Sequence, residues 1–274
     1  VCSSDLCERI RKSGARLIAM NDKLGDGGSR RDSVASAAVL MPTWAQTAPA
    51  STNTRVQTLA QAQTPAVLDT LKELVSIESG SRDLEGLEKL SQLLAQRLQQ
   101  MGMEVKTIPT QAPDFHPQLK GAKLGSVVLG TKKGKGQKKV LLIAHMDTVY
   151  LKGMGAKQPF RIDGNKAYGL GIGDDKAGIA VILHTLTTLQ ALQFKDYGQL
   201  TVLINGDEEI SSPASRSLLT QLGAEHDLTM SHEGSPVNQD HLSLATAGIA
   251  AVTLKVTGKA SHAGSAPERG LNAI

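Results

Sequence analysis

The sequence predicts a layered α/β domain with a mostly parallel sheet. Two observations predict it. From Thr64 onward, short apolar runs alternate with segments whose apolar residues recur at helical spacing. The apolar runs are also too continuous and branched for half-exposed strands; residues 140–144, Val-Leu-Leu-Ile-Ala, are the clearest case.

Thr64 and Pro65 supply an N-cap and a first-turn proline, and Val67, Leu68, Leu71, Leu74 and Val75 then follow one helical face. Ser79-Gly80-Ser81 breaks that helix. Leu84, Leu87, Leu90, Leu94 and Leu98 mark a second amphipathic helix, which Gly102 closes. Residues 103–108 and 125–129 read as strands, and 140–144 as the central one. Lys132, Lys133, Lys135, Lys138 and Lys139 surround two glycines between predicted strands, the pattern of a solvated hairpin loop. Residues 176–192 read as a helix carrying Ile179, Val181, Ile182, Leu183, Leu186 and Leu189. Residues 200–204 read as a buried strand, 215–222 as a helix and 228–231 as a short strand. Past a turn at Thr246-Ala247-Gly248, residues 249–257 are strand-like. A new helix is expected near Gly270-Leu271-Asn272, and the C-terminus at Ile274 reads as a truncation.

Residues 1–63 stand apart as a non-native or disordered extension. The opening six residues have no initiator Met and look like translated adapter DNA. Arg30-Arg31, an apolar run over 34–40 and small residues over 45–50 resemble a secretory signal set too far inside the chain. That segment makes a periplasmic or secreted location the expectation. Cys2 and Cys7 both lie in this extension, so they form neither a disulfide framework nor a four-ligand zinc pattern. The net charge of +4 comes without basic stripes or interleaved aromatics, which argues against nucleic-acid binding. No apolar run approaches the ~20 residues needed to cross a membrane.

The chemistry lies at strand ends. His145 and Asp147 follow the 140–144 run with one residue between them, so on an extended exit both side chains point the same way. A carboxylate there can orient the imidazole and raise its basicity, as a metal-binding histidine requires. Asp174 with Asp175, Glu208 with Glu209, and Glu233 come next, each at a strand end or in the loop that follows. Taken alone, Asp174-Asp175 could cap the following helix, and Glu208-Glu209 could be a solvated strand exit. Together they would gather at the carboxyl ends of the strands, where open α/β sheets bind ligands. Carboxylates crowded there repel one another, and a cation resolves the conflict. One imidazole with several carboxylates suits zinc, then manganese or cobalt.

Five ordered segments carry a resemblance: 144–153 (Ala-His-Met-Asp-Thr-Val-Tyr-Leu-Lys-Gly), 167–176 (Ala-Tyr-Gly-Leu-Gly-Ile-Gly-Asp-Asp-Lys), 205–209 (Asn-Gly-Asp-Glu-Glu), 231–234 (Ser-His-Glu-Gly) and 258–264 (Gly-Lys-Ala-Ser-His-Ala-Gly). On these the chain resembles the M20 family of co-catalytic zinc peptidases, and especially its glutamate carboxypeptidase (carboxypeptidase G) branch. The resemblance implies a zinc-exopeptidase-like catalytic domain over 64–246, then the start of a smaller α+β lid and dimerisation domain over 247–274. It implies two zinc ions per complete site. His145 and Glu233 would hold one, Glu209 the other, and Asp174 would bridge them. Asp147 would orient His145, and Glu208 would be the general base that moves a proton from water to the leaving amine. His262 would stabilise the oxyanion from the lid, across a homodimer. On its own it would be read as a surface histidine.

The match has gaps. The family's last ligand to the second zinc is a histidine farther along a longer chain, and no histidine follows His262 here. The chain is therefore expected to be an incomplete, inactive piece of an active enzyme. Ile-Ser-Ser-Pro after Glu209 also departs from the glycine-containing versions of that loop. The first reading is an exopeptidase releasing C-terminal glutamate from peptides or folate-like acyl-glutamates, and Tyr150-Leu151-Lys152-Gly153 favours it. The alternatives are an N-acyl-amino-acid deacylase or dipeptidase of the same family, or a catalytically incomplete zinc-binding fragment. Glu208 argues against the last, because a bare metal site needs no base.

Overall fold

The computed structural model describes residues 53–116, 118–234, 243 and 256–271. Three helices open it: α1 (Thr54–Ala62), α2 (Thr64–Ser76) and α3 (Leu84–Gln100). Helix α1 falls inside the stretch set aside as an extension. Its residues are all at least partly exposed, so helical periodicity leaves little trace there. It is held by its N-cap, where Asn53 accepts from Val56 N at 3.2 Å, and by resting on α2 and α4. Gln63, not Thr64, caps α2, and Pro65 sits inside its first turn. In α3, Leu87, Leu90, Leu94 and Leu98 are buried on one stripe, and each such burial contributes about 1.5–3 kcal/mol. The helix ends as predicted. Gly102 takes φ +75°, its N–H donates to Gln99 O, and Met103 N donates back to Leu98 O at 3.1 Å. Met103 and Leu98 both enter the core.

Seven strands follow: β1 (Glu104–Gln111), β2 (Lys123–Lys133), β3 (Lys139–His145), β4 (Arg161–Asp163), β5 (Lys166–Tyr168), β6 (Gln199–Gly206) and β7 (Leu228–Ser231). Helix α4 (Ala177–Ala191) precedes β6, and α5 (Arg216–Glu225) precedes β7. The main sheet has the order β1-β2-β6-β3-β7. Strands β3, β6 and β7 are parallel, β2 is antiparallel to β6, and β1 is antiparallel to β2. Four of the five strands thus run one way, and β2 is the exception.

The middle of the sheet is β6, with β3 beside it. This placement changes the reading of the lysine loop. Strands β2 and β3 are not a hairpin; their connection crosses the end of β6, where Gly136 N donates to Tyr197 O and Gly198 N to Lys138 O. The two faces of the sheet follow from strand alternation. Leu142 and Ala144 of β3, with Leu200, Val202 and Ile204 of β6, pack under α2, α3 and α4. Leu141 and Leu203 face the other way, against Leu222 of α5. Helices on both faces leave the carboxyl ends of β3, β6 and β7 together at one edge of the layers.

Among the described residues no helix is long and apolar enough to cross a membrane. The predicted turn at 246–248 and most of the strand at 249–257 lie outside the described residues. Of the expected last helix only Gly270 and Leu271 are described, Leu271 pairing with Lys259 in an antiparallel bridge, and the rest lies outside the described residues.

Candidate metal centre

Three parallel strand ends and one loop build the site. His145 is the last residue of β3. Glu208 and Glu209 stand in a short turn two and three residues past β6, and Glu233 two residues past β7. Asp174 and Asp175, joined by a cis peptide bond, lie in the helical turn Ile172–Lys176 that leads into α4. His232 N donates to Ile143 O, extending the β3–β7 pairing so that Glu233 emerges at its end. A Cβ on Gly234 would stand 3.0 Å from Gly173 O, so glycine there lets the Glu233 and Asp174 backbones approach closely.

The His145 ring is 1% exposed. Its Nδ1 donates to the carbonyl of Asp147 at 3.1 Å and lies 3.4 Å from the Asp147 carboxylate. Its Nε2 is 2.9 Å from Asp174 Oδ1 and 3.7 Å from Glu233 Oε2. Both ring nitrogens therefore face acceptors, which demands either a second proton or a cation at Nε2. Burial opposes the charged ring. Hydrogen bonding to Asp147 and Glu233, with the charges of Asp147 and Asp175, outweighs it and raises the pKa to about 12. Carboxyl groups around it are raised as well, which for them favours the neutral form. Burial, then the Asp174 charge, pushes Glu209 up to about 7; burial likewise raises Glu208, with His145 opposing. Asp175 is raised to about 8, first by burial.

Two sets of side chains bring ligand atoms within 4.8 Å of one another: His145, Asp174 and Glu209, and His145, Asp175 and Glu233. The two aspartates are not equivalent. Asp175 is fully buried and spends both oxygens on the backbone, accepting from His145 N at 3.3 Å and from Gly178 N, in the first turn of α4, at 3.1 Å. The capping role weighed for the pair thus falls to Asp175. Asp174 is exposed and keeps its carboxylate turned to His145 Nε2. Hard oxygen donors around one imidazole fit a divalent cation such as zinc.

Asp147 does more than orient His145. Fully buried, it accepts from Glu208 N at 3.0 Å, Glu209 N at 3.1 Å and Ser81 Oγ at 2.9 Å. One carboxylate thereby ties the imidazole to the two glutamates. His262 is exposed, and its Nδ1 accepts from Gly264 N and Ser265 N.

Two supporting residues escaped the sequence reading, Ser81 and Asp207. Asp207 is buried beneath the Glu208-Glu209 turn and accepts from Ala214 N, Ser215 N, Ser215 Oγ and Asn205 Nδ2. Its place beside two other acids was its one visible signal. The unusual Ile-Ser-Ser-Pro loop also resolves here. Ser211 and Ser212 take φ of +72° and +50°, the left-handed region that glycine favours, while their N–H groups donate to Glu208 O and Asp207 O. The glutamate turn keeps its shape at some steric cost.

A cavity of about 480 Å³ is walled by Val75, Leu151, Phe160 and Leu170 with Glu78, Thr148 and Lys176, the last two being the chain neighbours of Asp147 and Asp175. A larger cleft of about 650 Å³ lies around Asp69, Glu73, Arg97 and His184, and the cluster residues line neither of the two.

Residues 141–263 match Peptidase family M20/M25/M40. Carboxypeptidase G2 of Pseudomonas sp. (strain RS-16) is 47% identical over 210 residues, covering 77% of this chain and 48% of that protein. Acetylornithine deacetylase of Photorhabdus laumondii is 28% identical over 217 residues, covering 77% and 52%. The chain spans about half the length of the curated relatives it matches. Among solved structures, human carnosine dipeptidase 1 superposes with a TM-score of 0.55 at 21% identity, over 66% of this chain and 41% of that one. The M20 family metallo-carboxypeptidase Sso-CP2 from Sulfolobus solfataricus gives 0.50 at 19%, over 61% and 37%. These two likenesses show the mixed α/β fold.

Proposed function

The chain carries a domain of the M20 peptidase family, and on that premise we propose that it belongs to a zinc-dependent exopeptidase that hydrolyses an amide bond to release a C-terminal amino acid, glutamate by preference. The observation that carries this reading is the convergence of one buried imidazole and the carboxylates of Asp174, Glu209 and Glu233 at the ends of parallel strands. The carboxypeptidase reading is supported by the 47% identity to carboxypeptidase G2, and the preference for glutamate rests on the resemblance of the five motif segments to the glutamate carboxypeptidase branch.

His145, Asp174, Glu209 and Glu233 would hold the zinc, with two ions in a complete site. When bound, zinc supplies Lewis acidity toward the scissile carbonyl and an acidified water. The remaining steps belong to the chain. Asp147 fixes the His145 tautomer that frees Nε2, and it holds the Glu208 backbone in place. Glu208 takes a proton from the attacking water and gives it to the departing amine nitrogen. Burial raises its carboxyl above the ordinary range, which suits a group that must both accept and return a proton. His262 is proposed as an oxyanion donor from a lid, with a homodimer as the assembly; both rest on the family resemblance of 258–264. Export rests on the signal-like segment around residues 30–50.

An N-acyl-amino-acid deacylase is the second reading, favoured by the 28% identity to acetylornithine deacetylase. A paired assay separates them. The zinc-loaded protein is offered an N-acyl-glutamate and N-acetylornithine, and kcat/KM is compared. The expected result is a preference of about a hundredfold for the acyl-glutamate. The opposite preference selects the deacylase, and chelator-insensitive hydrolysis of both overturns the metal mechanism.

A further inference from the structure

The segment 150–158 leaves the catalytic strand end directly after Asp147 and Thr148, yet no regular element holds it. It makes only its own short turns, Met154 N to Leu151 O, Lys157 N to Met154 O and Gln158 N to Gly155 O. Two of its backbone N–H groups are tied down by one side chain, that of Glu78. The two carboxylate oxygens of Glu78 each accept a backbone N–H from this loop, Gly153 N at 2.8 Å and Gly155 N at 2.6 Å. Gly153 stands at φ +88°, a conformation that turns its N–H toward the carboxylate at little steric cost. A Cβ on Gly155 would lie 3.0 Å from Glu78 Oε1, so the fit is close on that side too. Lys152, between the two anchor points, adds ion pairs to Glu85 at 2.8 Å and Asp83 at 3.4 Å.

Glu78 is linked to the metal centre from its other side. It is followed by Ser79, Gly80 and Ser81. Thr148 N donates to Ser79 O, Ser81 N to Thr148 O, and Ser81 Oγ to the Asp147 carboxylate. Lys176, two residues past Asp174, buries its ammonium against Ile77 O at 2.7 Å. The loop and Glu78 line the 480 Å³ cavity together with Thr148, which follows Asp147, and Lys176, which follows Asp175, so the cavity reaches the site through these chain neighbours. A substrate reacting at the cluster can extend its far part only where such a wall lets it.

We propose that Glu78 is a positioning residue that clamps loop 150–158 and so sets the shape of the cavity that receives the part of the substrate distant from the scissile amide. This rests on the exopeptidase reading for what the cavity receives, but not for the clamp. Gly153 N–H, then Gly155 N–H, hold the Glu78 carboxyl below the ordinary range, as two donors facing an anion should.

The test has two arms, each applied to Glu78→Gln and Glu78→Ala. Glu78→Gln preserves size and presents an amide N–H to one of the loop N–H groups, which guards against a result that reflects only a lost fold. In the first arm, limited trypsinolysis follows cleavage after Lys152 and Lys157. Loss of two charge-assisted hydrogen bonds should speed cleavage there by about tenfold or more in Glu78→Ala, less in Glu78→Gln, with other sites unaffected. Unchanged cleavage overturns the clamp. In the second arm, kinetics are compared for short and long N-acyl groups on one amino acid. The expected result is a KM raised about tenfold for the long acyl group alone, with kcat and zinc content unchanged. A fall in kcat for both substrates at constant KM overturns the positioning role. If the parent protein hydrolyses neither substrate, the exopeptidase reading fails, and the trypsin arm decides the clamp by itself.

Discussion

Glu208→Gln lowers kcat by about a hundred- to ten-thousandfold while zinc content and KM stay near those of the parent protein. The size of the effect follows from the role. An amide has nearly the shape of the carboxylate but cannot take a proton, so proton transfer is lost with little change of shape. The turn itself survives, because its anchor to Asp147 runs through the Glu208 backbone N–H. Asp207 underpins the same turn with contacts that do not involve Glu208's side chain. The measurement is steady-state kinetics alongside metal analysis of the purified protein. A loss of less than tenfold would assign the proton transfer elsewhere. Loss of zinc together with rate would make Glu208 a ligand instead of a base.

His145→Ala weakens zinc binding by more than about a hundredfold, the upper end of what removing a mere supporting partner costs. Nε2 is the one nitrogen donor in the ligand sets, and it sits where Asp174 and Glu233 both reach. The backbone contact from His145 N to Asp175 is kept in the variant, so the turn into α4 should persist. The carboxylates around the missing ring lose their counter-charge, and the metal-free variant should melt at a lower temperature than its parent. Competition against a fluorescent zinc chelator reads the affinity directly. Unchanged affinity would mean that the carboxylates bind the cation without the imidazole.

Much of this was legible in the sequence because the relevant signals are local. Leu87, Leu90, Leu94 and Leu98 announce their helix by spacing, and residues 140–144 and 200–204 announce buried strands by being apolar without interruption. His145 and Glu209 stood out because they follow such runs, Asp174 because it sits in a glycine-rich loop, and Glu233 because it follows a short strand. Pairing between distant segments was not legible. Nothing near Lys132 to Lys139 shows that β6, some sixty residues later, will slip between β2 and β3 and turn an expected hairpin into a crossing. The supporting polar residues were hidden for the same reason. Ser81 lies 66 positions from Asp147 and looked like a helix breaker, and Glu78 reaches 75 and 77 positions to its two loop amides. Asp147 was read as the orienter of His145, two residues away; its grip on Glu208 and Glu209, 61 and 62 residues away, needed the fold.

The central claim is that the cluster around His145 is a cation site, and zinc calorimetry on the metal-free protein tests it most directly. Titrations near neutral pH in two buffers of different ionisation enthalpy give both the affinity and the protons exchanged. With its pKa raised to about 12, metal-free His145 carries a proton on each nitrogen at neutral pH, so zinc must displace one to reach Nε2. The account predicts saturable binding that releases at least about one proton for the ion taken up by Nε2, with affinity rising as pH rises. Absence of saturable zinc binding, or binding with no proton release and no dependence on His145, would contradict it.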